Sequence, residues 1–126
     1  MRKIERQMCE AIRNTTDWKS GNTRVTNFYD RDKKLVVTSV FLHDNMIAEL
    51  TETDVTLYDG GWQSNTTKSR LNAICVAFCV AGEGVFQHQF AWFIKTANRG
   101  VIPFINGYTF AWSITLARLH SHDSQD

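Results

Sequence analysis

Between residues 25 and 58 the chain alternates β-branched or aromatic runs with short polar breaks, and this pattern constrains the fold more than any other feature. The runs are 25–29, 35–42, 46–50 and 55–58, separated by Asp30-Arg31-Asp32-Lys33-Lys34, by His43-Asp44-Asn45 and by 51–54. Spacing this close, with turns this short and polar, predicts an antiparallel meander of four strands. The run 35–42 is dense in β-branched residues, which favour the pleated strand. Its two faces, Val36/Thr38/Val40/Leu42 and Leu35/Val37/Ser39/Phe41, are both apolar enough to be partly covered.

Helical patterns flank the meander. Ile4, Met8, Ala11 and Ile12 recur at helical spacing over residues 2–13, and the helix should end near Asn14. Residues 15–22 are rich in turn formers, with Trp18 placed to cover one end of the core. After the meander, Gly60-Gly61 break the strand and Asn65 or Thr66 is expected to cap a second helix. Leu71, Ile74, Cys75 and Phe78 mark its buried face, widened by Ala73, Val76, Ala77 and Val80, so that helix should be central. Ala81-Gly82-Glu83-Gly84 ends it. Residues 85–95 read as one long strand, with Phe86/His88/Phe90/Trp92/Ile94 on one face. Asn106-Gly107 is the strongest two-residue hairpin signal, joining 101–105 to an alternating run from Tyr108 to Leu116. Pro103 lacks an N–H for a ladder and places its strand at an edge.

The fold class that follows is α+β: an antiparallel sheet of about six strands, meander plus C-terminal hairpin, with two helices packed on one side. A chain of 126 residues suits one domain. Residues 1–118 are assigned to it and 119–126 to a polar, disordered tail. Hydrophobic residues at 43% and charged residues at 21% place the chain among globular proteins. No run approaches 18 apolar residues, so no membrane span or membrane partner is expected. The N-terminus lacks the apolar stretch of a signal peptide. Cys9, Cys75 and Cys79 have no framework spacing and read as apolar thiols in a reducing compartment. The expected location is cytoplasmic.

Net charge is only +1, but it is segregated: residues 1–34 carry +4, 35–63 carry −5, 64–100 carry +3 and the remainder −1. A near-neutral chain of this kind can still carry a basic face. Arg2, Lys3, Arg6 and Arg13 on the first helix, Lys19 and Arg24 after it, and Lys68 and Arg70 on the second helix are its candidate members. Beside Trp18 or Trp62 they would suit phosphate-led nucleic-acid binding with some stacking. The alternative is that the Trp residues are core and the charges are scattered.

The start of the second helix is the sharpest candidate site. A helix N-terminus exposes unpaired N–H groups and a partial positive charge. Thr66, Thr67 and Ser69 supply hydroxyls there, and Lys68 and Arg70 supply cations, a set that could grip an anion beside Trp62. The spacing is not that of a P-loop. Capping alone would also explain the hydroxyls. His43, His88, His120 and His122 have no metal-ligand company, and no nucleophile, histidine and acid are marked as converging. No cofactor and no enzymatic activity are expected.

Several strings resemble a known group. Met1-Arg2-Lys3-Ile4-Glu5-Arg6-Gln7-Met8 with Ala11-Ile12-Arg13, and Trp18-Lys19-Ser20-Gly21-Asn22-Thr23-Arg24-Val25, open the match. Leu42-His43 with Asn45, Ile47 and Ala48 continue it, Gly61-Trp62, Ser64 and Thr66-Thr67-Lys68-Ser69-Arg70-Leu71-Asn72-Ala73 carry its most specific part, and Val85-Phe86-Gln87 with Trp92, and Pro103-Phe104 with Gly107 and Phe110, complete it. The chain resembles small accessory proteins of tailed phages, T7-like and marine, over roughly residues 1–110. That resemblance implies a phage origin and a host-cytoplasm setting. It implies binding of a host macromolecule, a protein, nucleoprotein machinery or nucleic acid, with inhibition of host defence or transcription as the role it suggests. Two other roles stay open. One is a minor virion or assembly protein that pairs with another copy through its aromatic C-terminal edge strand. The other is a small-nucleotide or phosphate binder at the second helix.

Overall fold

The computed structural model describes residues 1–111. Its first element, α1 (Lys3–Asn14), forms because Met8, Ala11 and Ile12 fall on one side and are buried together with Cys9. Ile4, expected in the same stripe, is only half-buried, and Glu5 is buried beside it. Thr15 stops the helix in a left-handed conformation with φ 54°, and its N–H donates to the last-turn carbonyls of Ala11 and Ile12.

The four strands of the meander follow as read, and a fifth precedes them where a turn is expected, because residues 18–20 pair with 23–25. The strands are β1 (Trp18–Ser20), β2 (Thr23–Asp30), β3 (Leu35–Leu42), β4 (Asn45–Leu50) and β5 (Asp54–Leu57), each antiparallel to the next. The register pairs Val25 with Val40, Val40 with Ala48 and Ala48 with Leu57, so one face of the sheet is a continuous apolar surface. A bulge between Val40 and Phe41 leaves Ile47 without a cross-strand partner, and its carbonyl accepts instead from the Tyr58 N–H at 2.8 Å. Both faces of β3 are covered at its centre: Val37 and Ser39 are buried as well as Thr38 and Val40. Trp18 packs against the core from β1, as expected of it.

Helix α2 (Asn65–Phe78) lies on the same side of the sheet as α1. Leu71, Ile74 and Phe78 are buried against Met8, Ile12, Val25 and Leu50. Its N-cap is Ser64, not Asn65 or Thr66: the Thr67 N–H donates to Ser64 Oγ at 3.0 Å. The cap falls one residue earlier because Ser64 is the last residue with extended backbone, φ −93° and ψ 161°. Ser64→Ala is expected to lower the unfolding free energy by about 1 kcal/mol, read as a shifted urea midpoint at unchanged slope. The helix ends at Phe78, short of the glycines, with Cys79 already extended, and Val76 and Val80 face outward.

The C-terminal half departs from the reading. Residues 85–95 are not one strand but a hairpin, β6 (Gly84–His88) and β7 (Ala91–Lys95). Gln89 and Phe90, with φ 49° and 68°, turn the chain back. The reversal moves Trp92 and Ile94 onto the face of Val85 and Gln87, and puts Phe86 against Phe93 on the other. With β8 (Val101–Pro103) these strands make a separate three-stranded sheet. Asn106-Gly107 does turn, with the Tyr108 N–H donating to Ile105 O at 3.1 Å. The flanking strands nevertheless do not pair with each other. Strand β8 pairs with β7, whereas β9 (Tyr108–Ala111) crosses to β5 and completes a six-stranded sheet in the order β1-β2-β3-β4-β5-β9. The α+β antiparallel architecture with both helices on one side therefore stands, divided into two sheets around one core. Residues 112–118 of the expected domain and strand, and the tail 119–126, lie outside the described residues.

Candidate functional site at the start of the second helix

The loop between β5 and α2 is built on backbone that only glycine adopts freely. Gly60 and Gly61 have φ 71° and 89°. A Cβ on Gly60 would lie 3.1 Å from Ile47 Cγ2, so the loop lies flat on β4 only because that residue has no side chain. Asp59 pins both ends of the turn: its N–H donates to Asn106 Oδ1 and its Oδ1 accepts from the Gly61 N–H, each at 2.8 Å. The Trp62 carbonyl then accepts from the Ser64 N–H and from Thr67 Oγ1, which fixes the tryptophan at the helix start. Its side chain, 78% exposed, stands at the mouth of a cleft of about 270 Å³. Leu42, Ile47 and Gly60 line the cleft, with His43, Asn45 and Asp59 among its polar groups.

The proposed anion ligands do not converge there. Thr67 is buried, and its hydroxyl is shared between Ser64 Oγ at 2.8 Å and the Trp62 carbonyl. Thr66 is half-buried. Lys68 points along α2 to Gln87 Oε1 at 3.2 Å. Ser69 and Arg70 turn inward to Glu5. Ser69 Oγ donates to Glu5 Oε2 at 2.6 Å, and Arg70 Nη1 donates to the same oxygen at 2.8 Å. Arg70 Nε also donates to Thr23 Oγ1 at 3.1 Å, and Nη2 to Asn22 Oδ1 at 3.4 Å. Both charged side chains are only 4% exposed. Arg70 is thus an interior cation that joins α2 to α1 and to the start of β2, not a surface ligand.

Burial by itself would push the Glu5 carboxyl up. The hydrogen bonds from Ser69 and Arg70, and the charge of Arg70, outweigh it and leave the group below its ordinary 4.5. A carboxyl depressed on folding stabilises the protein above the unfolded-state value, and that contribution is lost as pH falls through the folded-state value. The urea midpoint is accordingly expected to hold from pH 7 to about 5 and to fall below about 4.5, with a shallower fall in Glu5→Gln.

The other basic residues divide between two sides. Arg2, Arg6 and Arg13 lie along α1, where Arg6 Nη1 donates to the Met1 carbonyl at 2.9 Å and Arg13 sits 5.6 Å from the Phe78 ring centroid. Lys19 and Arg24 are cross-strand partners on the sheet face away from the helices. There Arg24 stacks over Phe41 at 4.4 Å and pairs with Asp44 at 3.7 Å. A single basic face formed by all of them is not what the fold builds.

Asn72, read in the sequence only as part of a string, has a structural task. It donates to the Val85 carbonyl at 2.7 Å and accepts from the Val85 N–H at 2.8 Å, which fastens the small sheet to α2. Glu5, Asn22 and Thr23 were missed as partners of Arg70, and Leu42, Ile47 and His43 as walls of the cleft. Gly60-Gly61, read only as a strand break, is the sequence signal that marks the edge of the cleft.

Burial pushes the Cys9 thiol up to about 12. The hydrogen bond with Cys75, together with burial, pushes Cys79 well above its usual range. Both stay uncharged packing groups at neutral pH. Among the described residues no group of three or more His, Cys, Asp or Glu could hold a metal ion, and no helix is long and apolar enough to cross a membrane.

A search of curated proteins finds no match, and a search of solved structures finds none. Residues 1–111 match the family described as Kyanoviridae Gp96 protein. The match includes both helices, the Gly60–Gly61 turn, Trp62 and the Glu5–Arg70 pair, so the chain belongs to the Kyanoviridae Gp96 protein family, a family of phage proteins.

Proposed function

We propose that this chain is a phage accessory protein that acts in the host cytoplasm by binding a host macromolecule without catalysis, and that Trp62 and its cleft are the contact. The observation that carries this reading is the exposed Trp62 side chain at the mouth of an apolar cleft. A tryptophan offers 150–250 Å² of surface for burial, and interface hot spots are enriched in it. A protein or nucleoprotein surface fits better than bare nucleic acid. Phosphate recognition needs several free cations on one face, whereas Arg70 is interior and the others lie on two sides. Inhibition of host defence or transcription belongs to this reading, as does the T7-like, marine grouping suggested by the motif.

The test is affinity purification of the full chain from infected cells, with and without nuclease. Partners retained after nuclease, and lost with Trp62→Ala, support the proposal. Partners that vanish with nuclease and are indifferent to Trp62 overturn the choice of a protein surface. A charge-reversal control must use Lys68→Glu alone, because Arg70→Glu would place two carboxylates together in the interior. A second reading, assembly with another copy, draws on the place of β9 at the end of the six-stranded order. A single monomeric species in sedimentation at high concentration would count against it.

A further inference from the structure

Helices α1 and α2 lie side by side and run in the same direction. Glu5 accepts from Ser69 and Arg70 near their starts, Cys9 Sγ donates to Ala73 O at 3.6 Å midway, and Arg13 lies 5.6 Å from the Phe78 ring centroid at their ends. The solvent side of this pair holds a groove of about 700 Å³ that shares no residue with the Trp62 cleft. Its two walls differ in chemistry. The α1 wall carries Arg6, Glu10 and Arg13, and the α2 wall carries Val76 and Ala77. Val76 is 75% exposed although it stands in the last turns of a helix whose other apolar residues are mostly buried.

Charge along the α1 wall reads plus, minus, plus. Arg6 and Arg13 are seven residues apart, two helical turns or about 10.5 Å, and Glu10 stands between them. Neither arginine has a carboxylate partner among the described residues, whose ion pairs are Arg24–Asp44 and Arg70–Glu5. Arg6 Nη1 reaches only the Met1 carbonyl, and Arg13 has its Nε buried without an acceptor. The Phe78 ring holds the Arg13 guanidinium in place without neutralising it. Arg2 and Lys3, exposed at the start of α1, add positive charge, and the other acid of that helix, Glu5, is interior and already paired. Helix α2 brings no charge to the groove, because its Lys68 goes to Gln87 and its Arg70 to Glu5. The groove is therefore basic along one wall, with a single acidic interruption, and apolar along the other.

We infer that this groove docks an acidic amphipathic helix of a partner protein. Carboxylates two turns apart on that helix pair with Arg6 and Arg13, an uncharged or basic residue between them faces Glu10, and its apolar edge covers Val76. Charge complementarity selects the acidic occupant, and a groove between two helices with one apolar wall suits a third helix. A run of phosphates would meet Glu10 and leave Val76 bare, so nucleic acid fits less well. This surface is additional to the Trp62 contact and does not rest on it.

The test titrates the full chain with an acetylated and amidated helical peptide that carries two glutamates seven positions apart and leucines on the adjoining face. An isomer with the glutamates on opposite faces and a version with lysines in their place are the controls, and single- and double-stranded oligonucleotides form a separate arm. The matched peptide is expected to bind about tenfold tighter than its isomer, to loosen as salt rises, and to shift the amides of residues 6–14 and 73–77. Arg6→Gln, at an exposed position, is expected to weaken it about fivefold at unchanged Tm, and Val76→Asp to weaken it as well. Glu10→Gln is expected to tighten it about threefold, a gain that no loss of folding imitates. Failure of the matched peptide to bind, equal affinity for the isomer, preference for the lysine version, or weaker binding in Glu10→Gln overturns the inference. Oligonucleotides that bind tighter than the matched peptide overturn it in favour of nucleic acid. Trp62→Ala is expected to be silent toward this peptide. Loss of peptide binding in Trp62→Ala with Arg6→Gln and Val76→Asp silent overturns the inference and leaves the Trp62 contact standing.

Discussion

Glu5→Ala is expected to lower the unfolding free energy by about 3–5 kcal/mol, enough to unfold a domain of ordinary stability in mild denaturant. The substitution removes the carboxylate and leaves the Arg70 guanidinium in the interior. Its Nη1 loses the acceptor at 2.8 Å, and Ser69 Oγ loses the same oxygen at 2.6 Å. An uncompensated buried charge is far more damaging than a missing pair, because desolvation of the remaining ion is no longer offset. The companion variant tests that cause. Glu5→Leu combined with Arg70→Met removes both charges and should recover most of the loss, as apolar residues of similar volume often replace buried pairs at little cost. Chemical denaturation of Glu5→Leu, Arg70→Met and the double variant reads the coupling directly. A double variant as unstable as the worse single one would shift the cause from charge to the neutral bonds with Thr23 and Asn22.

Trp62→Ala is expected to leave Tm within about a degree while weakening partner binding by about 2 kcal/mol or more, roughly 30-fold. The two effects separate for a structural reason. The backbone of Trp62 holds the helix start through its carbonyl, whereas its ring is mostly in water. Truncation therefore leaves the Ser64 cap and the Thr67 bonds intact and removes only the exposed surface. Side-by-side measurement of Tm and of partner dissociation gives the answer. A drop of several degrees in Tm would assign the ring to the fold and remove Trp62 from the proposed contact.

Trp62 and Arg70, the partner that Glu5→Ala strands, stand eight positions apart in the same string, and the sequence did not separate their roles. Thr66-Thr67-Lys68-Ser69-Arg70 reads as a polar helix start with two cations. Helical geometry turns successive residues by about 100°, so Lys68 and Arg70 could not share a direction, and only the neighbours decide which one faces inward. Glu5 decides it for Arg70. Its position on α1 also reads as solvent-exposed, because a charged residue is almost never buried unless paired. Neither half of a buried pair announces itself without the other, and they are 65 positions apart.

The C-terminal half shows the same limit in another form. Alternation of apolar residues over 85–95 is compatible with a continuous strand and with a hairpin, since both are extended. What distinguishes them is the backbone at Gln89 and Phe90, where the residue types give no hint of a positive φ. The Asn106-Gly107 signal was correct as a turn and misleading as a hairpin. A turn motif sets the local direction of the chain, whereas strand pairing depends on which edges are available nearby. Here β7 offered one edge to β8 and β5 offered the other to β9.

By itself the sequence determined the class of the fold: two helices and an antiparallel meander, because hydrophobic period and turn chemistry are local and survive without neighbours. It also determined where the loop before α2 must bend, because Gly60-Gly61 admits conformations that other residues resist. Tertiary structure alone decided that Arg70 faces Glu5, that Trp62 stands over a cleft walled by Leu42 and Ile47, and that the basic residues part to different sides. Those outcomes depend on pairings between segments distant in the chain. Their energies come from desolvation and contact, which no short window of residues contains.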